Sequence, residues 1–156
     1  MESIETVVVR SGASGFRTEI LARGHTLVAD EPVALGGTDE GPTPYDYLTA
    51  ALGACTAMTI RMYADRRGWP LESVTVRLRH SRIHERDCEE CETSSVGIDR
   101  LEREVELLGT LTAEQRARLL RIADRCPVGQ TLTRGMRITP AQAADDAGEP
   151  SHHSAL

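Results

Sequence analysis

The chain has 156 residues, 40% of them hydrophobic, and a formal net charge of −6 at pH 7. That length suits one domain able to bury a core without staples, and the negative balance argues against nucleic acid or an anionic membrane surface as the main partner. Aromatics are few (Phe16, Tyr45, Tyr47, Tyr63, Trp69), so Leu, Val, Ile, Ala and Met must fill the core, and all 18 basic residues are arginine, a compositional bias.

No apolar run reaches the length of a membrane span, and the opening MESIETVVVR lacks the charged-then-apolar layout of a signal peptide. A cytoplasmic protein with no membrane partner is expected. In that compartment four cysteines point to redox chemistry or metal more than to a disulfide framework.

Residues 5–10 (ETVVVR) are β-branched and predict a first strand. Gly12 and Gly15 make a turn, residues 16–21 alternate as a second strand, and Arg23-Gly24 turns the chain into a third strand over 25–29. Residues 30–42, rich in Gly, Pro and Asp, form a loop long enough to carry part of a site. Thr43 is a good N-cap and Pro44 suits the first helical position. Asp46, three residues after the cap, makes a short-armed capping box. No Gly-Pro break follows until Gly68, so about 24 residues of helix are predicted, roughly 36 Å at 1.5 Å per residue. Leu48, Leu52, Cys55, Thr59 and Met62 follow helical spacing, which puts Cys55 near the middle of an apolar stripe. Ala50, Ala51, Gly53 and Ala54 crowd around it with little bulk. Gly53 weakens a helix, and close approach of another backbone is a reason to keep it.

Gly68 and Pro70 end this helix, where Arg61, Arg66 and Arg67 complement the dipole. Residues 71–84 begin a strand with alternation at Val74, Val76 and Leu78. The acidic segment 85–97 interrupts, and 98–108 resumes as strand, although its Glu and Leu content would also suit a helix. Glu102, Glu104 and Glu106 alternate there with Leu101, Arg103, Val105 and Leu107, consistent with a solvated strand face. Thr112 caps a second helix to about Arg125, with apolar Leu119, Leu120, Ile122 and Ala123. Cys126-Pro127 breaks it; a short helical turn follows, and residues 136–138 predict a last short strand. A folded domain over 1–139 and a disordered tail over 140–156 are expected, because the tail has no burying pattern. No internal repeat is visible. The order β-β-β-α-β-β-α-β makes the fold α+β, with two small antiparallel sheets and helices between or against them.

One constellation is carried by spacing. His80, His84, Cys88 and Cys91 form H-x3-H-x3-C-x2-C. Cys-x2-Cys suits two tetrahedral zinc ligands, and the histidines, on one face of a strand, could complete the set. The alternatives are a redox CxxC pair or two exposed thiols in an acidic loop; Asp87, Glu89, Glu90 and Glu92 weaken thiol reactivity while attracting a cation. Spacing alone does not choose. His25 reads as surface, and His152 and His153 as solvated. The other two cysteines, Cys55 and Cys126, lie in separate segments. Taken alone, Cys55 reads as a small buried hydrophobe. Pro127 can end one helix and open the next, which makes Cys126 an N-cap where backbone N–H groups favour a thiolate, opposed by the negative end of the preceding helix.

The glycine-rich hairpin start, GPTPYDYLTAALGACTA and the later ADRCPVGQTL together resemble the OsmC/Ohr family of thiol-dependent peroxidases and their relatives, from Val7 to Thr139. The resemblance implies an intertwined homodimer, two long central helices packed back to back under β-sheets, with active sites at the subunit interface. It implies that Cys55 attacks the peroxide and that Cys126 resolves the resulting sulfenic acid as a disulfide. In the peroxidase branches an arginine of the first hairpin and a glutamate at the start of the central helix hold the thiolate. Here Ala13 stands at the arginine position, and Arg17 is the nearest candidate. Tyr45 stands at the glutamate position with Asp46 after it, and Asp46 is also the natural capping partner. Val33, Leu35 and Met58 could line an entrance for a hydrophobic substrate, with core packing the default for Met58. The expectation is therefore a homodimer that reduces organic hydroperoxides, uses a dithiol reductant and needs no cofactor. A non-catalytic small-ligand binding protein on the same fold, and metal binding through His80, His84, Cys88 and Cys91, are the alternatives.

Overall fold

A computed structural model describes residues 6–83 and 98–139. Strands β1 (Val8–Ser11), β2 (Thr18–Ala22) and β3 (His25–Ala29) form an antiparallel sheet in that order. Between β2 and β3, Arg23 and Gly24 both have positive φ (52° and 82°) while Ala22 faces His25. This is the type I′ geometry whose twist matches the flanking strands.

Asp30 organises the loop that follows. Its Oδ1 accepts from the Glu31 N–H at 2.8 Å. Its Oδ2 accepts from the Thr38 hydroxyl at 2.6 Å and from the N–H groups of Thr38 and Glu40 at 3.1 and 3.2 Å. These donors, the Thr38 hydroxyl foremost, outweigh desolvation and hold the buried carboxyl down at about 2. Within the loop lies one 3-10 turn, Val33–Leu35.

Helix α1 (Pro44–Arg67) begins and ends where its sequence signals predict. The Thr43 hydroxyl oxygen accepts from the Asp46 N–H at 3.2 Å, and the Asp46 carboxylate accepts from the Thr43 N–H at 2.9 Å. Gly68, at φ 65°, closes the other end. The buried stripe differs from the expected one. It is Leu52, Thr56, Ile60 and Ala64, with Gly53 beside it, while Leu48 and Met62 are 36% and 53% exposed. Cys55 is half-buried, and Met58 is exposed rather than in the core. The helix has two apolar faces, and periodicity alone does not say which one packs inside the chain. Gly53 does permit a close approach, but by a side chain: a Cβ there would lie 2.8 Å from Leu78 Cδ1.

Strands β4 (Leu71–Ile83) and β5 (Ile98–Gly109) form a second antiparallel sheet, with Val76 opposite Val105 and Leu78 opposite Arg103. Helices α2 (Ala113–Ala123) and α3 (Pro127–Arg134) follow. The core is Ile60, Ala64, Leu71, Leu107, Leu119 and Ala123, where α1 and α2 meet β4 and β5, with Tyr63, Trp69, Val74, Val105 and Leu111 packed around it. Arg118 adds a polar tie between α1 and α2, its Nε donating to the Tyr63 hydroxyl at 3.0 Å. That bond, with the charges of Arg118 and Arg67, lowers the pKa of the Tyr63 phenol against desolvation.

The α+β class and the two antiparallel sheets agree with the sequence reading. Two details at the end do not. The turn expected after Cys126 is an eight-residue helix, and residues 136–138 form no strand. Met136 and Ile138 stand 69% and 90% exposed, and no described strand pairs with them. The acidic segment 85–97 and the tail 140–156 lie outside the described residues. Among the described residues no helix is long and apolar enough to cross a membrane.

Candidate functional site

Cys126 sits at a break between two helices. Asp124 caps α2, the Cys126 N–H still reaches the Ala123 carbonyl at 3.3 Å, and extended backbone at Cys126 (φ −62°, ψ 132°) re-aims the chain. Pro127 then takes the first position of α3, where its missing N–H costs nothing. As the N-cap of α3, the Cys126 sulfur accepts from the Gly129 N–H at 3.2 Å, and the residue is fully buried. Cys55 reaches the same turn from the middle of α1. Its sulfur accepts from the Val128 N–H at 3.5 Å. Consecutive amides of α3, among those with no partner inside the helix, thus point at the two sulfurs. Both thiols are free.

Gly129 makes this approach possible. A Cβ there would lie 2.9 Å from Cys126 Sγ and 3.3 Å from Leu52 Cδ1. Thr56, one residue after Cys55 and fully buried, places its hydroxyl 3.5 Å from Cys126 Sγ and 2.8 Å from the Leu52 carbonyl. Behind it lies Arg103 of β5. One Nη donates to Thr56 Oγ1 at 3.2 Å and to the Ala123 carbonyl at 3.1 Å, and the other pairs with Asp124 at 2.6 Å. A cavity of about 500 Å³ borders this cluster, lined in part by Leu52, Arg103, Asp124 and Gly129.

The other expected site residues have different company. The Arg17 Nε binds Glu40 at 2.6 Å and a terminal nitrogen lies 3.6 Å from Glu19, on an exposed surface. Asp46 closes the capping box, and the Thr43 hydroxyl first, then its N–H, lowers the Asp46 pKa. Of the H-x3-H-x3-C-x2-C set only His80 is described; His84, Cys88 and Cys91 lie outside. His80 stacks on Tyr45 with ring centroids 4.3 Å apart, and its Nε2 lies 2.8 Å from Asp99 Oδ1. Among the described residues no group of three or more His, Cys, Asp or Glu side chains could hold a metal ion.

Sequence reasoning missed Arg103, Thr56 and Gly129. A signal for Arg103 was present: it shares the strand phase of Leu101, Val105 and Leu107, so its guanidinium belongs to the inward face. Gly129 and Thr56 carried none, since their roles depend on where distant elements cross.

Solved structures with this arrangement of elements include an OsmC-like protein from Mycoplasma pneumoniae, 16% identical, with a TM-score of 0.67 over 85% of this chain and 89% of that one. An organic hydroperoxide resistance protein OsmC from Legionella pneumophila is 19% identical, with a TM-score of 0.60 over 84% of this chain and 91% of that one. An organic hydroperoxide resistance protein from Elizabethkingia anophelis is 18% identical, with a TM-score of 0.61 over 86% and 92%. No curated protein matches in sequence. Residues 37–141, which include both helical cysteines, match the family described as OsmC-like protein. The chain belongs to the OsmC-like family.

Proposed function

We propose that this chain is a cytoplasmic, homodimeric thiol peroxidase that reduces organic hydroperoxides with Cys55 and Cys126 and is regenerated by a dithiol. The Cys55 thiolate attacks the O–O bond and becomes a sulfenic acid, and the alkoxide leaves as the alcohol. The Cys126 thiol then condenses with that sulfenic acid, water departs, and a disulfide protects Cys55 from over-oxidation. The observation that carries this reading is the pair of sulfurs on consecutive N–H groups of one helical turn, donated by residues remote in sequence from Cys55. Their unequal exposure supports the division of roles, the half-buried thiol meeting the peroxide and the buried one resolving. The organic hydroperoxide resistance proteins that share the fold support the substrate class. Arg17 and Asp46 remain the candidates for holding the thiolate; within this chain they bond to Glu40 and Glu19 and to Thr43 respectively.

The test treats the reduced protein with cumene hydroperoxide and maps disulfides by mass spectrometry. A Cys55–Cys126 bond should form, and Cys55→Ser should abolish peroxide consumption. Absence of both the bond and peroxide loss would refute the proposal. A second reading, a binding protein without turnover, draws on a separate cavity of about 490 Å³ lined by Val9, Phe16, Ile20, Ala29, Pro44 and Tyr47 among others. A ligand retained there, with Cys55 inert to peroxide and alkylating agents, would favour it. Metal binding through His80, His84, Cys88 and Cys91 is a separate question, and less than stoichiometric zinc in protein purified without chelators would dispose of it.

A further inference from the structure

The two sulfurs differ in more than exposure. Around Cys126 stand the Gly129 N–H at 3.2 Å and the Thr56 hydroxyl at 3.5 Å; around Cys55 stands the Val128 N–H at 3.5 Å. The Thr56 hydroxyl has a single proton and two acceptors within reach, the Leu52 carbonyl and Cys126 Sγ. With a neutral sulfur the carbonyl is the better acceptor; with a charged sulfur the preference reverses, since bonds to ionised groups are the stronger. Arg103 donates to that same hydroxyl oxygen and polarises its O–H toward whichever acceptor is charged. The guanidinium is fixed from behind by the Ala123 carbonyl and by Asp124.

We propose that Arg103 is a positioning residue for the regeneration step: acting through Thr56, it receives the charge that develops on Cys126, so the reductant attacks Cys55. This rests on the peroxidase reading above. One thiolate of the dithiol attacks Cys55 Sγ. A new S–S bond forms there, the Cys55–Cys126 bond breaks, and its electron pair passes to Cys126 Sγ. The second thiol of the reductant then attacks its own partner sulfur, closes a cyclic disulfide and frees Cys55. Two electrons move from the dithiol to the protein, and its two protons end on the cysteines. Exchange of this kind is faster when the leaving sulfur bears its charge more easily. The donors gathered at Cys126 make it the better leaving sulfur, and its burial denies it the role of target.

The experiment oxidises wild type, Arg103→Gln, Arg103→Lys and Thr56→Val with cumene hydroperoxide and follows disulfide reduction by dithiothreitol from neutral to alkaline pH. Arg103→Gln and Thr56→Val should slow reduction about tenfold, the scale of one hydrogen bond to a charged group, and shift its pH profile. Arg103→Lys should restore part of the rate. Thr56→Val removes the hydroxyl between the guanidinium and Cys126 while leaving the Arg103 bonds to Ala123 and Asp124 available, so the two variants should share one shifted pH profile, which a purely structural Arg103 would not produce. Glutathione, which has one thiol, should be trapped on Cys55. Trapping on Cys126, or a wild-type rate and pH profile in either Arg103→Gln or Thr56→Val, overturns this inference alone. Failure of wild type to form the disulfide overturns the peroxidase reading with it.

Discussion

Gly129 lies where the first turn of α3 meets the α1 side chain Leu52, and the space beside it belongs to sulfur. Ala at this position gains at most about 1 kcal/mol of helix propensity. Against that, a Cβ 2.9 Å from Cys126 Sγ and 3.3 Å from Leu52 Cδ1 is overpacking, which costs about 1–3 kcal/mol. Strain should win, because the cysteine side chain is short and held as a cap. Gly129→Ala should lower the urea midpoint and slow disulfide formation after peroxide addition, both measurable on one preparation; unchanged values would show that α3 can shift away freely. Asp30 makes a second prediction at this scale. Its folded pKa of about 2 lies below the unfolded value of about 3.9, so its stabilisation is complete above that unfolded value and fades as pH falls toward 2. Asp30→Asn should remove this acid dependence and speed amide exchange at Glu31, Thr38 and Glu40, whose N–H groups it accepts. Cys55 and Cys126 were legible as a pair only through family resemblance, since nothing in their spacing brings them to one turn. The Arg103 charge was legible as an inward residue, but what it touches, Thr56 and the end of α2, depends on tertiary packing.

At the scale of elements, α1 shows which information is local. Its start was readable because a capping box is a contract between residues three apart, and both halves of it form. Its end was readable because Gly68 alone satisfies a left-handed stop. Its buried face was not, because Leu48–Cys55–Met62 and Leu52–Thr56–Ile60–Ala64 both satisfy helical spacing. Only packing against β4, α2 and α3 selects between them. Thr43→Ala tests the local part. Loss of the hydroxyl should cost about 1 kcal/mol. The Thr43 hydroxyl is also the main reason Asp46 is held below its ordinary value. A depressed carboxylate stabilises above its unfolded pKa and loses that contribution as pH falls through the folded one. Thr43→Ala should therefore cost most at neutral pH and less in acid, where Asp46 is protonated in either protein. Urea melts at the two pH values check this, and an equal penalty at both would put the cap's contribution elsewhere.

For the whole molecule, what matters is apolar surface left uncovered. A helix apolar on two faces belongs in an interior, yet the Leu48, Met58 and Met62 side of α1 faces outward, as do Phe16, Leu21 and Leu27 of the first sheet region. This is where the proposed homodimer gains its physical argument. A helix strip roughly 36 Å long and 10 Å wide offers on the order of 360 Å². A specific interface needs about 800 Å² from each partner, so α1 alone falls short and the first sheet must contribute as well. An intertwined dimer meets that demand where a simple helix pair does not. Met58→Arg places a charge on the exposed face of α1, and a two-fold axis would bring both copies into one interface, uncompensated and desolvated. Size exclusion with light scattering should then report mainly monomer at concentrations where wild type is dimeric. If the active sites lie at the subunit boundary, as the resemblance implies, peroxide turnover should fall in parallel with dimer content. Monomers with full turnover would confine the chemistry to the single chain, where Cys55, Cys126 and the first turn of α3 already meet.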